Sequence, residues 1–384
     1  MHIETVNAYH VTLPFKTAFA NARFQAQASN VVVVEVVAEG EDIRGYGEGL
    51  PIESVTGETP ERAMQRVGFL CRHRAFPWEL EDVSQVWQFI DRLPPTKTDN
   101  AAICALETAL LDALGKALDK TLIDFLPQNH RTDRIYYGAP LTLGDKEKKR
   151  AFCQTIKAFG MQHVRAKMDA RFARNRETLE AVAEAFDGTC FLRIDPNGTW
   201  NHAIAVRHLP LIRQYRVNVV EEPFPAHDDG FKDFCDRLRD WGVGLMACES
   251  APTLTEIQQI VQAGYYTMVN VKLSRSGGFR RSLRMIDHLR ANGLAFQIGC
   301  STGESGILSA AGRALGLACR DAVTYDGSYD AFLLQANTTC EDVGFGPGGA
   351  AGVLAGSGLG VAVNRDRLER LSGRKKLSVT REGI

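Results

Sequence analysis

The chain has 384 residues, 45% hydrophobic and 24% charged, with a formal net charge of −1. That length allows one large or two ordinary domains with a sizeable core, and the composition excludes a disordered chain. Without a basic excess the chain is not expected to bind nucleic acid. Its valine run, Val31 to Val34, is broken by Glu35 and is far short of a membrane span, and MHIETVNAYH lacks the features of a secretory signal, so the chain is expected in the cytoplasm.

SNVVVVEVVAEGEDIRGYGEGLP reads as strand, turn and strand, punctuated by Gly40 and Gly45. After Pro60 the pattern turns helical, and AAICALETALLDALGKAL sets Ile103, Leu106, Leu110 and Leu114 on one face. Strands followed by helices predict a separate α+β domain over residues 1–125. From Arg134 the pattern alternates. Strands are predicted at 134–142, 163–169, 191–197, 217–223, 243–250, 268–275, 295–302 and 321–327, with helix-like text between them. This predicts an α/β parallel barrel over residues 126–333. Beyond it, residues 334–384 are glycine-rich and expected to pack back on the first domain, ending in a solvated basic tail, SGRKKLSVTREGI. GSGLG lacks the spacing of a phosphate loop. The nine cysteines form no CxxC pair and are expected to be buried, reduced thiols.

The predicted strands end in charge: Lys167, Asp195, Glu221, Glu249 and Lys272. Active sites of parallel barrels are built at the C-terminal ends of the strands. Lys167 on the second strand and Lys272 on the sixth stand opposite each other in a ring of eight. The three acids occupy the arc between them. Taken alone, each of these acids reads better as a surface or salt-bridge residue, and Lys272 as an ordinary snorkelling lysine; five in this order do not. Three carboxylates without His or Cys make a hard-oxygen site for Mg²⁺, with Mn²⁺ as a substitute. Such a cation stabilises negative charge on a substrate oxygen. Near it, and beside Arg165 on the same strand face, the pKa of Lys167 is expected to fall toward that of a useful base. This set fits abstraction of a proton next to a carboxylate, with one lysine removing it and the other returning one to the opposite face. Glu221 and Glu222 point opposite ways, so only one of them can be a ligand. Asp195 and Asn197 share a face, and Asn197, Thr142 and Ser301 are expected to line the substrate pocket.

At these residues the chain resembles the enolase superfamily along nearly its whole length. Arg165-Ala166-Lys167 is similar to the KxK element of its muconate-lactonizing subgroup, and NVKLSRSGG to that subgroup's second-lysine motif. GYGEGLP with VTGET looks like the capping-domain text of dipeptide epimerases, and ALETALLDALGK and GPGG…GSGLGV also match. The resemblance implies a modified TIM barrel with a capping domain. It also implies a Mg²⁺-dependent racemase or epimerase acting through an enediolate on an amino-acid derivative or dipeptide. Cycloisomerase or syn-dehydratase chemistry through the same intermediate is the alternative, and a barrel that has lost its site is a third reading. The small-molecule carboxylate is the expected partner, and such barrels commonly form homo-oligomers. Three positions depart from the pattern. Cys248 stands where the subgroup has an aspartate ligand, so the role passes to Glu249 or the site is altered. Glu304 is shifted in GCSTGESG. Of the Asp-x-Asp-Gly that binds a dipeptide's ammonium, only Asp326 remains, in Thr324-Tyr325-Asp326-Gly327. PFKTAFANARFQAQ would be the family's mobile capping loop, with Phe15, Phe19 and Phe24 against the barrel mouth.

Overall fold

The computed structural model describes the chain except residues 21–24, 41, 374 and 384; the side chains of residues 19, 20 and 25 also lie outside that description. The chain opens with β1 (Ile3–Ala20), β2 (Gln25–Ala38) and β3 (Arg44–Gly49). They pair antiparallel, Val11 opposite Val31 and Val33 opposite Glu48. Val31 to Val34 are fully buried. Helices Pro60–Cys71, Asn100–Ala117 and Arg365–Ser372 pack on this sheet, so an uninterrupted apolar run suits both its faces.

β3 reads RGYGEG, and its alternation puts Gly45, Gly47 and Gly49 on one face. That face lies against the helix Asn100–Ala117. A Cβ on Gly47 would stand 2.1 Å from the Ala105 carbonyl oxygen, and one on Gly49 1.9 Å from that of Ala101. The helix is buried almost all round from Asn100 to Gly115, beyond the single face its periodicity predicts. Its polar residues explain why. Asp112 accepts the Tyr46 and Leu359 backbone N–H groups, at 2.7 and 2.8 Å. Glu107 accepts those of Phe279 and Arg280, at 2.5 and 3.0 Å. One helix therefore joins the first sheet, the barrel and the C-terminal segment.

The predicted capping loop is largely strand, since β1 runs to Ala20 and β2 starts at Gln25. This hairpin end docks on the barrel side. Phe15 is buried and bridges to Leu334, and Gln335 donates through its backbone N to the Pro14 carbonyl at 2.9 Å. Phe24 and the side chain of Phe19 lie outside the described residues.

The predicted first barrel strand, 134–142, divides in two. β4 (Arg134–Tyr136) leaves the barrel to pair with β12 (Ala350–Gly352), and only β5 (Ala139–Leu141) joins it. β6 (His163–Lys167), β7 (Phe191–Asp195), β8 (Val219–Glu221), β9 (Gly244–Ala247), β10 (Met268–Lys272) and β11 (Ala295–Gly299) follow in parallel, in sequential order. The predicted eighth strand contracts to a bridge. Tyr325 pairs with Ile298 on one side and Tyr137 on the other, closing the ring of the β/α barrel.

The basic tail is not a solvated end. Residues Lys376–Thr380 form β13, which adds to β1 with Val6 opposite Val379. Leu377 and Val379 alternate with polar residues, the pattern of an edge strand with one buried face. All nine cysteines are free; eight are buried and Cys340 is exposed. Among the described residues no helix is long and apolar enough to cross a membrane.

Candidate active site

A cavity of about 490 Å³ lies between the C-terminal ends of the barrel strands and the first domain. The barrel contributes Arg165, Lys167, Asn197, Glu249, Lys272, Arg275 and Ser301; the first domain contributes His10, Phe15, Ile52, Glu58 and others. Lys167 and Lys272 thus face one space, as the ring geometry requires.

Their surroundings differ. Lys167 is buried and donates to Asp195 Oδ2 and, at 2.9 Å, to Asn197 Oδ1. Asn197 in turn donates to Glu249 Oε1 at 3.0 Å and, through its backbone, to Asp195 Oδ1 at 2.9 Å. The Lys272 side chain makes no ion pair or hydrogen bond among the described residues. Burial alone would lower its pKa, but the Cys248, Glu249 and Glu221 side chains around it leave it above its usual value. The protein's own groups therefore keep Lys272 protonated, and a drop toward neutrality has to come from what binds there. Arg165, expected beside Lys167 as a tuning charge, is turned to Asp326 at 3.1 Å.

The three acids lie close enough to repel one another. Asp195 is raised by burial and then by Glu221, and Glu249 adds to the effect. Burial would raise Glu221 too, but Arg193, Arg165 and both lysines bring it well below the usual carboxylate range. Glu221 faces Arg193 Nε at 3.1 Å and accepts from Asn270 Nδ2 at 2.8 Å. Among the described residues no three acids converge into a ready metal cage, because Lys167 has taken Asp195 and Arg193 has taken Glu221. The donors nonetheless suit a hard divalent cation. Glu221 Oε2 and Glu249 Oε2 are both buried without a hydrogen bond, and all are carboxylate oxygens.

Glu222 does separate from Glu221. It sits at φ 43° and turns its carboxyl to the backbone N of Cys248, at 2.6 Å, and to the Ser250 hydroxyl, at 3.0 Å. It pins the end of β9, and burial and Glu249 push it up to about 7. Cys248 is fully enclosed. Its Sγ accepts from Arg275 Nη1 at 3.0 Å and from Asn270 Nδ2 at 3.6 Å, and burial pushes the thiol well up.

Two expected pocket residues are elsewhere. Thr142 is exposed and outside the cavity lining. Asp326 is buried beneath it, held by Arg193, by Arg165 and by Gln297 Nε2 at 2.8 Å, so its carboxylate is not presented to a substrate ammonium. Ser301 lines the cavity, and its backbone N donates to Glu304, which burial pushes up to about 8. Arg193, Asn270, Arg275 and Gln297 went unassigned in the sequence. Arg193 and Asn270 stand two residues before Asp195 and Lys272, on the same strand faces, and that period was the available signal.

Residues 148–367 match the family described as enolase C-terminal domain-like, and residues 2–126 the N-terminal domain of mandelate racemase / muconate lactonizing enzyme. A hydrophobic dipeptide epimerase from Enterococcus faecalis is 24% identical over 81% of this chain and 86% of its own length. A chloromuconate cycloisomerase from Cupriavidus pinatubonensis is 26% identical over 94% and 96%. The solved dipeptide epimerase from Enterococcus faecalis, complexed with Mg and L-Leu-L-Tyr, superposes with a TM-score of 0.82 at 21% identity, over 94% of this chain and 100% of that one.

Proposed function

The chain belongs to the enolase superfamily, in its mandelate racemase / muconate lactonizing enzyme branch, and on that premise we propose that it is a racemase or epimerase that removes the proton next to a substrate carboxylate. The observation that carries this reading is the pair Lys167 and Lys272 on a single cavity that Glu249 also lines. Asp195, Glu221 and Glu249 would hold Mg²⁺, or Mn²⁺ in its place. When bound, that ion supplies Lewis acidity to the substrate carboxylate. Lys167, positioned by Asp195 and Asn197, takes the α-proton from one face. Lys272, held protonated, gives a proton to the other. The carbon loses and regains one proton, and its configuration inverts. The docked hairpin with Phe15 and the helix-bearing loop at Ile52 cover the cavity and keep water from the carbanion, an enediolate.

The unequal company of the two lysines supports a second reading. If only one acts as a base, the same enediolate leads to β-elimination, as in a cycloisomerase or syn-dehydratase. The test is incubation in D₂O with Mg²⁺ and a set of N-acyl amino acids, dipeptides and dicarboxylates, followed by proton NMR. Loss of the α-proton signal in at least one compound that binds is expected. Binding without exchange throughout the set contradicts the proposal.

A further inference from the structure

Lys167 is placed through its side chain, by Asp195 and Asn197. The Lys272 side chain has no such partner among the described residues, so its ammonium goes where the backbone carries it. That backbone is supported unevenly. On one side β11 pairs as far as Gly299 opposite Lys272; on the other the ladder to β9 ends at Val269 opposite Ala247, three residues short of the lysine. There the first domain takes over. Asn100 is fully buried at the start of the helix Asn100–Ala117, and its side-chain nitrogen donates to the Pro252 carbonyl at 3.0 Å and to the Arg275 carbonyl at 2.5 Å. Pro252 lies three residues past Glu249 and Arg275 three past Lys272, so one amide ties the two loops together. Arg281 Nη1 donates to Asn100 Oδ1 at 2.8 Å and fixes which way the amide points. Two turns along the helix, Glu107 accepts the Phe279 and Arg280 backbone N–H groups, where the next helix begins. The Ser274 hydroxyl accepts the Leu50 backbone N–H at 2.8 Å, just past β3. Gly277 and Gly278 make room for this approach: a Cβ on the first would stand 2.7 Å from Asn100 Oδ1, and one on the second 1.9 Å from Glu107 Oε2. The first domain thus holds the segment after Lys272 at three points.

We propose that Asn100 is a positioning residue for Lys272: it replaces the missing end of the β9–β10 ladder and so sets where the lysine points. Asn100 lies outside the cavity lining and acts only through the two loops. The inference rests on the proton-abstraction reading, in which Lys272 serves one face of the α-carbon and Lys167 the other. Its effect is one-sided. Lys167 keeps its own side-chain partners, and Glu249 is held separately by Asn197 at 3.0 Å, so the group left loose without Asn100 is Lys272. A base displaced by about 1 Å loses on the order of a hundredfold in rate.

The experiment measures α-deuterium incorporation, with Mg²⁺ in D₂O, into each enantiomer of a compound that the wild type exchanges. Lys272→Ala marks the enantiomer that Lys272 serves. Asn100→Ser, whose side chain is too short to reach both carbonyls, should slow exchange of that enantiomer about tenfold or more and leave the other within about twofold of wild type. Arg281→Ala, a change at a partly exposed residue, frees the amide to turn and should give a smaller loss on the same side, so the test does not depend on the serine variant folding. Backbone hydrogen–deuterium exchange should show residues 273–278 losing protection in both variants. Equal slowing of both enantiomers, as a general loss of stability would give, overturns the inference, and so does loop protection or exchange unmoved in both variants. Wild-type protein that binds the compounds and exchanges neither enantiomer of any of them overturns the proton-abstraction reading instead, and the loop protection then reports on the Asn100 tie by itself.

Discussion

Lys167 and Lys272 face one cavity, yet Lys167 is held by Asp195 and by Asn197 Oδ1 at 2.9 Å, whereas the Lys272 side chain makes no ion pair or hydrogen bond among the described residues. Asn197 is the joint of this arrangement, because it also reaches Glu249. Asn197→Ala should therefore lower kcat about 10- to 100-fold, as loss of an orienting partner does. Its melting temperature should move little. Steady-state kinetics beside thermal melts checks both.

The metal donors give a second test. Mg²⁺ at a hundredfold excess over its Kd should stabilise the fold by about 2.7 kcal/mol. Glu221→Gln and Glu249→Gln should each abolish most of that shift, while Cys248→Ser should keep it. Thermal melts with and without EDTA read the outcome. The reverse pattern, a shift lost with Cys248→Ser and kept with Glu249→Gln, would return the third position to residue 248.

Stability should also depend on pH through Glu107. Burial, outweighing its hydrogen bonds from the Arg280 and Phe279 backbone, pushes this carboxyl from 4.5 up to about 8. The native state keeps a proton that the unfolded chain releases above about pH 4.5. Stability from this group is thus complete below that pH and is lost as pH rises through 8, at about 1.4 kcal/mol per unit. Glu304, pushed up to about 8, and Glu48 and Glu58, to about 7, act in the same direction, each chiefly through burial. Urea denaturation of the wild type and Glu107→Gln at several pH values between 5 and 8.5 isolates the Glu107 share: the difference between the two should narrow or change sign as pH rises.

Gly47→Ala should destabilise the first domain by about 1–3 kcal/mol or more, because its methyl group meets the Ala105 carbonyl and the helix has to move away from β3. Urea denaturation followed by circular dichroism measures this, and an alanine tolerated without loss would mean that the helix and sheet are not in close register.

Much of the barrel was legible because burial and period agree in it. Apolar strands separated by helices read correctly from β6 to β11; β6, β7, β8 and β10 end in a charge, whereas β9 stops at Ala247, short of Glu249. The ends of the ring did not. Tyr325 closes it through a single bridge, too short to have a period, and the segment at 134–142 serves two partners, which no local pattern records. The site was legible as a set of residue types and less so as a set of pairs. Parity placed Arg165 on the face of Lys167, but whether it meets Lys167 or Asp326 depends on Arg193 and Gln297, which approach from other strands. The tail failed for a similar reason. Lys376–Thr380 is short and mostly polar, and it becomes a strand only because β1 offers it an edge.

The most direct measurement follows α-deuterium incorporation into each enantiomer of an accepted substrate, separately for Lys167→Ala and Lys272→Ala. Two opposed bases should make the variants complementary, each losing exchange from one enantiomer and keeping it from the other. Wild-type exchange of both enantiomers in either variant would contradict the two-lysine account.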